Sequence, residues 1–138
     1  MLHKLEVYRY AFITAVLIAA LSLFPGGQTP KVGIEGLDKV IHFIMYFTLT
    51  WFLIQANIKQ VIILKLKDST LLVSFIVAVA YGLLMEIIQG AALDGRSFEW
   101  FDILANLTGT IAGIGLFLAV FGNPRCYIIR RCKSNVEQ

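Results

Sequence analysis

Nine polar or ionisable residues lie in or beside long apolar stretches, and their types suit acid–base chemistry or the binding of a charged group. Glu86 and His42 are the candidate acid and base, because burial readily changes the proton affinity of a carboxylate or an imidazole. The candidate binding residues are Asp38, Lys39, Tyr46, Gln89, Arg96, Asp102 and Asn106. A polar side chain in a membrane segment is costly unless it faces the bundle interior or a wet cavity, so these residues indicate a functional site.

The spacing of these residues places them on helical faces. Asp38 and His42 are four residues apart, and Tyr46 continues the same face one turn further along. Two more pairs have a helical spacing of three or four residues: Glu86 with Gln89, and Asp102 with Asn106. Glu86 is predicted at the C-terminal, negative end of a helix, where it needs a cation, a donor or a proton. Its expected partners are Arg96 and His42.

The rest of the sequence predicts the helices that position these residues. The 138 residues are 58% hydrophobic and only 15% charged, which is too apolar for an ordinary soluble domain. We expect one integral membrane domain over residues 1–138. Four apolar stretches have the length of a transmembrane helix, about 17–25 residues: Tyr8–Phe24, Val40–Ile58, Thr70–Gln89 and Phe101–Phe121. The predicted fold is an all-α membrane protein, a four-transmembrane-helix antiparallel up-down bundle.

The distribution of lysine and arginine predicts the orientation of this bundle. Of the 12 basic residues, only Lys31, Lys39 and Arg96 lie on one side, and the others lie in the N-terminal segment, the second loop and the C-terminal tail. The positive-inside rule then places both termini in the cytoplasm. The second helix begins, the third ends and the fourth begins at the extracytoplasmic face, so the polar residues converge there. The basic residues need no nucleic acid to explain them, and no nucleic-acid partner is expected.

The order and spacing of the polar positions resemble the signature of VanZ-like membrane proteins. The matching residues run from Asp38 to Gly113 and comprise Asp38-Lys39-x-x-His42, Tyr46, Glu86-x-x-Gln89, Arg96 and Asp102-x-x-Ala105-Asn106-x-x-Gly109. The resemblance implies a four-helix, multi-pass envelope protein of the bacterial cytoplasmic membrane. It also implies similarity to a protein associated with resistance to the glycopeptide antibiotic teicoplanin, without a settled mechanism.

Two other features have less specific interpretations. Gly109-x-x-x-Gly113 predicts a close-packing face on the fourth helix, either within the monomer, which we favour, or in a homo-oligomer. His42 and the nearby carboxylates could in principle supply one nitrogen and several oxygens to a metal ion. However, the chain has no His-x-x-His or Glu-x-x-His pair. No metal and no cofactor are therefore expected.

The leading functional hypothesis is an extracytoplasmic polar pocket that binds an amphipathic cell-envelope component. The partner would be a membrane lipid or a lipid-linked precursor, with a phosphate near Lys39, Arg96 and the helix N-termini and a tail between helices. If a reaction occurs, Glu86 and His42 are its acid and base. One alternative is a non-catalytic shielding or resistance factor that alters the access of a lipophilic antibiotic. Another is a structural bundle held by an interior ion-pair network of Glu86, Arg96 and Asp102.

Overall fold

The computed structural model describes residues 2–23, 36–59, 69–92, 99–122 and 124, and these form an all-helical fold. Its helices are α1 (Leu2–Ser22), α2 (Leu37–Lys59), α3 (Thr70–Ala92) and α4 (Trp100–Phe121). By length and composition, α2, α3 and α4 can each cross a membrane. The predicted first span, Tyr8–Phe24, overlaps α1, but its last residue lies outside the described residues. A fourth crossing by α1 and the cytoplasmic position of both termini stay predictions.

Helix α2 lies at the centre of the packing and contacts α1, α3 and α4. The interior contains apolar side chains from all four helices, with Ile18, Ile54, Ala78 and Phe117 at most 1% exposed. Large apolar side chains also cover the outer surface, and Phe12 is 69% exposed. A soluble monomer rarely exposes such an extensive apolar surface, whereas a membrane helix presents it to lipid.

Two glycines of α4 let its backbone approach α2 closely. A Cβ atom on Gly109 would lie 2.3 Å from the backbone oxygen of Phe43, and one on Gly113 would lie 3.0 Å from that of Phe47. The glycine face therefore packs against a helix of the same chain. A homo-oligomer through Gly109 and Gly113 stays a prediction, and it would require α2 to leave this face.

A chain of hydrogen bonds connects three helices at the end of the bundle where α2 terminates. The Tyr8 hydroxyl donates to Asn57 Oδ1 at 2.6 Å, and Asn57 Nδ2 donates to Ser74 Oγ at 2.9 Å. Ser74 in turn donates to the backbone oxygen of Thr70 at 2.8 Å. Asn57 thus links α1 to α3 through its own helix, α2. We call Tyr8, Asn57 and Ser74 the asparagine bridge.

Candidate functional site

Glu86 occupies a buried position where the end of α3 meets the start of α4. Its side chain is 2% exposed, and its Oε1 accepts a hydrogen bond from the backbone N–H of Glu99 at 2.9 Å. Glu99 is the N-cap residue of α4, and its own side chain makes no capping hydrogen bond. The first N–H groups of a helix lack intrahelical partners and carry partial positive charge. Glu86 therefore lies at the unfavourable end of its own helix but at the favourable end of α4.

Lys39 binds three carboxylates at the same end of the bundle. Its Nζ is 2.7 Å from Asp38 Oδ2, 3.4 Å from Glu99 Oε2 and 3.6 Å from Asp102 Oδ1. The side chains of Asp38 and Glu99 are about half exposed, whereas that of Asp102 is only 14% exposed. Exposed ion pairs contribute little to stability because water and salt screen them. The contact with Asp102 is the most shielded of the three.

His42 and Asn106 join α2 to α4 one turn deeper. His42 Nδ1 lies 3.1 Å from Asn106 Oδ1. Because an amide oxygen only accepts, this hydrogen bond requires the proton of the imidazole to be on Nδ1.

Tyr46 lies one turn further along α2 and is 1% exposed. Its ring lies 6.4 Å from that of Tyr81 between centroids, and a Cβ on Gly82 would come within 3.1 Å of it. The Tyr46 hydroxyl has no hydrogen-bond partner among the described residues, although it interacts electrostatically with Glu86. Asp102 Oδ1 is also buried without a hydrogen bond there.

These contacts gather four carboxylates, which we call the carboxylate cluster: Asp38, Glu86, Glu99 and Asp102. Glu86 interacts electrostatically with Asp102, His42 and Glu99. Among the described residues, Lys39 is the one lysine or arginine that forms ion pairs with the cluster. The cluster is therefore acidic, and it can hold a cationic or hydrogen-bond-donating group.

Comparison with known proteins places the chain in a family. The family model VanZ/LLP1 matches residues 3–122, which include every candidate site residue. The chain belongs to the VanZ/LLP1 family. The family resemblance inferred from the spaced polar residues is thereby confirmed. No curated protein and no solved structure matches the chain.

In this VanZ/LLP1 protein, most of the predicted site residues lie close together, but two require separate mention. The Gln89 amide faces α1 and donates to the backbone oxygen of Ser22 at 2.8 Å, so its described contact is an interhelical one. Arg96 lies outside the described residues. The described donor to Glu86 is the Glu99 backbone N–H, whereas the sequence predicted Arg96 or His42 as its partner. Glu99 itself was missed by sequence reasoning, although its position three residues before Asp102 was a usable signal.

Three acids of the VanZ/LLP1 chain have the arrangement of potential metal ligands. One oxygen each from Asp38, Glu99 and Asp102 lies within 4.8 Å of the other two. The Lys39 ammonium, however, already lies within 3.6 Å of an oxygen of each acid. An ammonium there supplies the positive charge that a metal would supply, so we infer no metal site from this geometry.

The contact between His42 and Asn106 predicts a measurable coupling between α2 and α4. In a double-mutant cycle with His42→Ala and Asn106→Ala, we expect an interaction energy of about 1 kcal/mol, typical of interhelical hydrogen bonds in membranes. Unfolding of the four proteins in detergent micelles would measure it. Strictly additive effects of the two substitutions would show that this hydrogen bond does not stabilise the protein.

Proposed function

We propose that this VanZ/LLP1 protein binds the head group of an amphipathic cell-envelope component at the carboxylate cluster. The site would lie at the extracytoplasmic face of the bacterial cytoplasmic membrane, as the distribution of basic residues predicts. The observation that carries the proposal is Glu86, a carboxylate that is 2% exposed in a helix able to cross a membrane.

The surroundings of Glu86 support a ligand site more than a structural ion pair. A buried charge that serves stability is normally paired with a cation and fully hydrogen-bonded. Lys39 instead pairs with the other three members of the cluster, and the described donor to Glu86 is one backbone N–H. Residues that violate the rules of stable packing are expected mainly at functional sites.

A small apolar cavity next to the site supports the amphipathic character of the ligand. It has a volume of about 50 Å³ and lies between α3 and α4. Its lining residues are Val79, Gly82, Leu83, Ile103, Asn106 and Leu107. Asn106 also contacts His42, so the cavity adjoins the polar site. We propose that part of a lipid tail occupies this cavity. If a reaction follows binding, Glu86 and His42 are its acid and base.

The ion pairs of Lys39 also favour a second candidate, a structural network without a ligand. They connect the start of α2 to the start of α4 and would fix how these helices pack. In that case each carboxylate of the cluster would contribute to stability, and its removal would destabilise the protein. The two candidates therefore make opposite predictions for the same substitution.

The substitution Glu86→Gln tests the proposal. The glutamine side-chain oxygen can still accept the Glu99 N–H, while one negative charge leaves an acidic cluster. We expect the free energy of unfolding to stay within about 1 kcal/mol of wild type or to rise. Functional residues are often kept at a cost in stability, so replacing one of them can stabilise the protein. We expect ligand affinity to fall at least about tenfold, equivalent to 1.4 kcal/mol. Both are measured by unfolding the full-length protein in lipid nanodiscs of varied composition.

The control for this test is Lys59→Gln, which removes an exposed charge from the far end of α2 and should change neither quantity. Clear destabilisation by Glu86→Gln with unchanged lipid dependence would support the structural network instead. In cells, a change in teicoplanin susceptibility caused by expressing the protein and unaffected by Glu86→Gln would favour the shielding alternative.

A further inference from the structure

The carboxylate cluster offers more hydrogen-bond acceptors than the described residues satisfy. Its four carboxylates supply eight oxygens. The described donors to them are Lys39 Nζ, the Glu99 backbone N–H at Glu86 and the local backbone N–H groups at Asp38. Water reaches the half-exposed Asp38 and Glu99, whereas a head group bound at the shielded Glu86 and Asp102 would have to donate hydrogen bonds and carry positive charge. A phosphate has the opposite character, because its oxygens accept and its charge is negative.

Two buried oxygens around Glu86 point independently to a missing donor. Tyr46 is 1% exposed, and its hydroxyl has no hydrogen-bond partner among the described residues. Asp102 Oδ1 is buried without a hydrogen bond, and the Lys39 ammonium that pairs with it is 3.6 Å away, beyond hydrogen-bond distance. Both residues interact electrostatically with Glu86. Buried polar atoms are nearly always hydrogen-bonded, so two buried oxygens without a hydrogen bond beside one buried carboxylate indicate a group that binds there.

We infer that the head group bound at the carboxylate cluster carries a primary ammonium, which donates to Glu86, Asp102 and Tyr46. This inference rests on the proposed function and specifies its ligand class. A primary ammonium has three N–H donors and matches three acceptors. Lys39 shows the same chemistry within the chain, since its own ammonium contacts Asp38, Glu99 and Asp102. Lys39 then competes with the ligand ammonium for Asp102.

Lys39 would compete with a ligand ammonium but attract a ligand phosphate. Removing Lys39 should therefore change ligand affinity in opposite directions for the two kinds of head group. The full-length protein is placed in nanodiscs of phosphatidylcholine that contain equal fractions of phosphatidylethanolamine, phosphatidylglycerol or neither. Ethanolamine and choline lipids share a phosphate, but only ethanolamine has N–H donors. The readout is the apparent melting temperature, since a ligand that binds only the folded state raises it.

We expect phosphatidylethanolamine to raise the melting temperature more than either other lipid. Lys39→Gln should increase the apparent affinity for it by about threefold, the effect of losing one competing ion pair. If the cluster instead binds a phosphate, the same substitution weakens binding and phosphatidylglycerol stabilises most. The matched control is Lys59→Gln, which removes an exposed lysine from the other end of α2 and should change nothing.

Tyr46→Phe provides a second variant that is compatible with folding. It removes a hydroxyl without a described partner and keeps the buried ring, so the melting temperature without phosphatidylethanolamine should not fall. We expect the preference for ethanolamine over choline to decrease. A shift with phosphatidylglycerol that equals or exceeds the shift with phosphatidylethanolamine, or a lower affinity for ethanolamine in Lys39→Gln, overturns the ammonium inference while the proposed function stands. Absence of any lipid-dependent shift in the wild type overturns both.

Discussion

Replacing Gly109 with alanine is expected to lower the free energy of unfolding by about 3 kcal/mol, the upper range for overpacking a close contact. The new Cβ would lie 2.3 Å from the backbone oxygen of Phe43 and 3.0 Å from its carbonyl carbon. Because the opposing atoms belong to a helix backbone, no side-chain rotation can relieve the overlap. Helix α4 must move away from α2, which also separates His42 from Asn106. Thermal or denaturant unfolding in detergent micelles measures the loss.

Two glycines on the same helix provide matched controls. A Cβ on Gly115 meets nothing within 4 Å, so Gly115→Ala should leave stability unchanged or raise it through helix propensity. A Cβ on Gly113 lies 3.0 Å from the nearest backbone atom, and we expect an intermediate loss of about 1 kcal/mol. Equal stability of the Gly109 and Gly115 variants would contradict the close approach of α2 and α4.

The helices were largely predictable from the sequence because long apolar runs must form regular hydrogen-bonded structure in a membrane. Thr70 was predicted as the start of α3 and is its first residue. Helix α2, however, extends beyond the predicted Val40–Ile58 to Leu37–Lys59. Hydropathy marks where hydrocarbon begins, whereas a helix continues through polar residues such as Asp38, whose charge is favourable in the first turn. The same reason explains why α1 begins at Leu2, before the apolar run.

The positions of the site residues were predictable where they depended on spacing within one helix. Asp38, His42 and Tyr46 follow one face of α2, and Asn106 meets His42 across the interface with α4. Spacing does not determine how a helix is rotated toward its neighbours. Glu86 and Gln89 are three residues apart, yet Glu86 contacts the start of α4 and Gln89 contacts α1. Which neighbour each one meets depends on packing among all helices.

The main feature of the site that the sequence did not predict is a contact made by a backbone group. The described donor to Glu86 is a main-chain N–H, and its availability follows from the start of α4 at that point. A sequence lists side chains, so reasoning from it proposed Arg96 and His42 instead. The asparagine bridge was missed for a related reason, because Tyr8, Asn57 and Ser74 are isolated polar residues in three different apolar runs. Only the packed structure shows that they contact one another.

The second large effect on stability is expected at the asparagine bridge. Asn57 is 7% exposed and links α1 to α3 through two side-chain hydrogen bonds. Asn57→Leu removes both and buries an apolar side chain that cannot satisfy the Tyr8 hydroxyl. We expect the free energy of unfolding to fall by about 2 kcal/mol, the sum of two interhelical hydrogen bonds of about 1 kcal/mol each. Unfolding in detergent micelles measures this loss.

Tyr8→Phe separates the two hydrogen bonds because it removes only the one to α1, and we expect about half of the loss. Helix α1 is also held by the hydrogen bonds of Tyr81 to Ala15 and of Gln89 to Ser22. Its N-terminal half should therefore open first in Asn57→Leu, which would appear as faster amide hydrogen exchange around Tyr8 than around Ile18. Uniform exchange along α1, or stability equal to wild type, would show that the bridge does not hold α1 on the bundle.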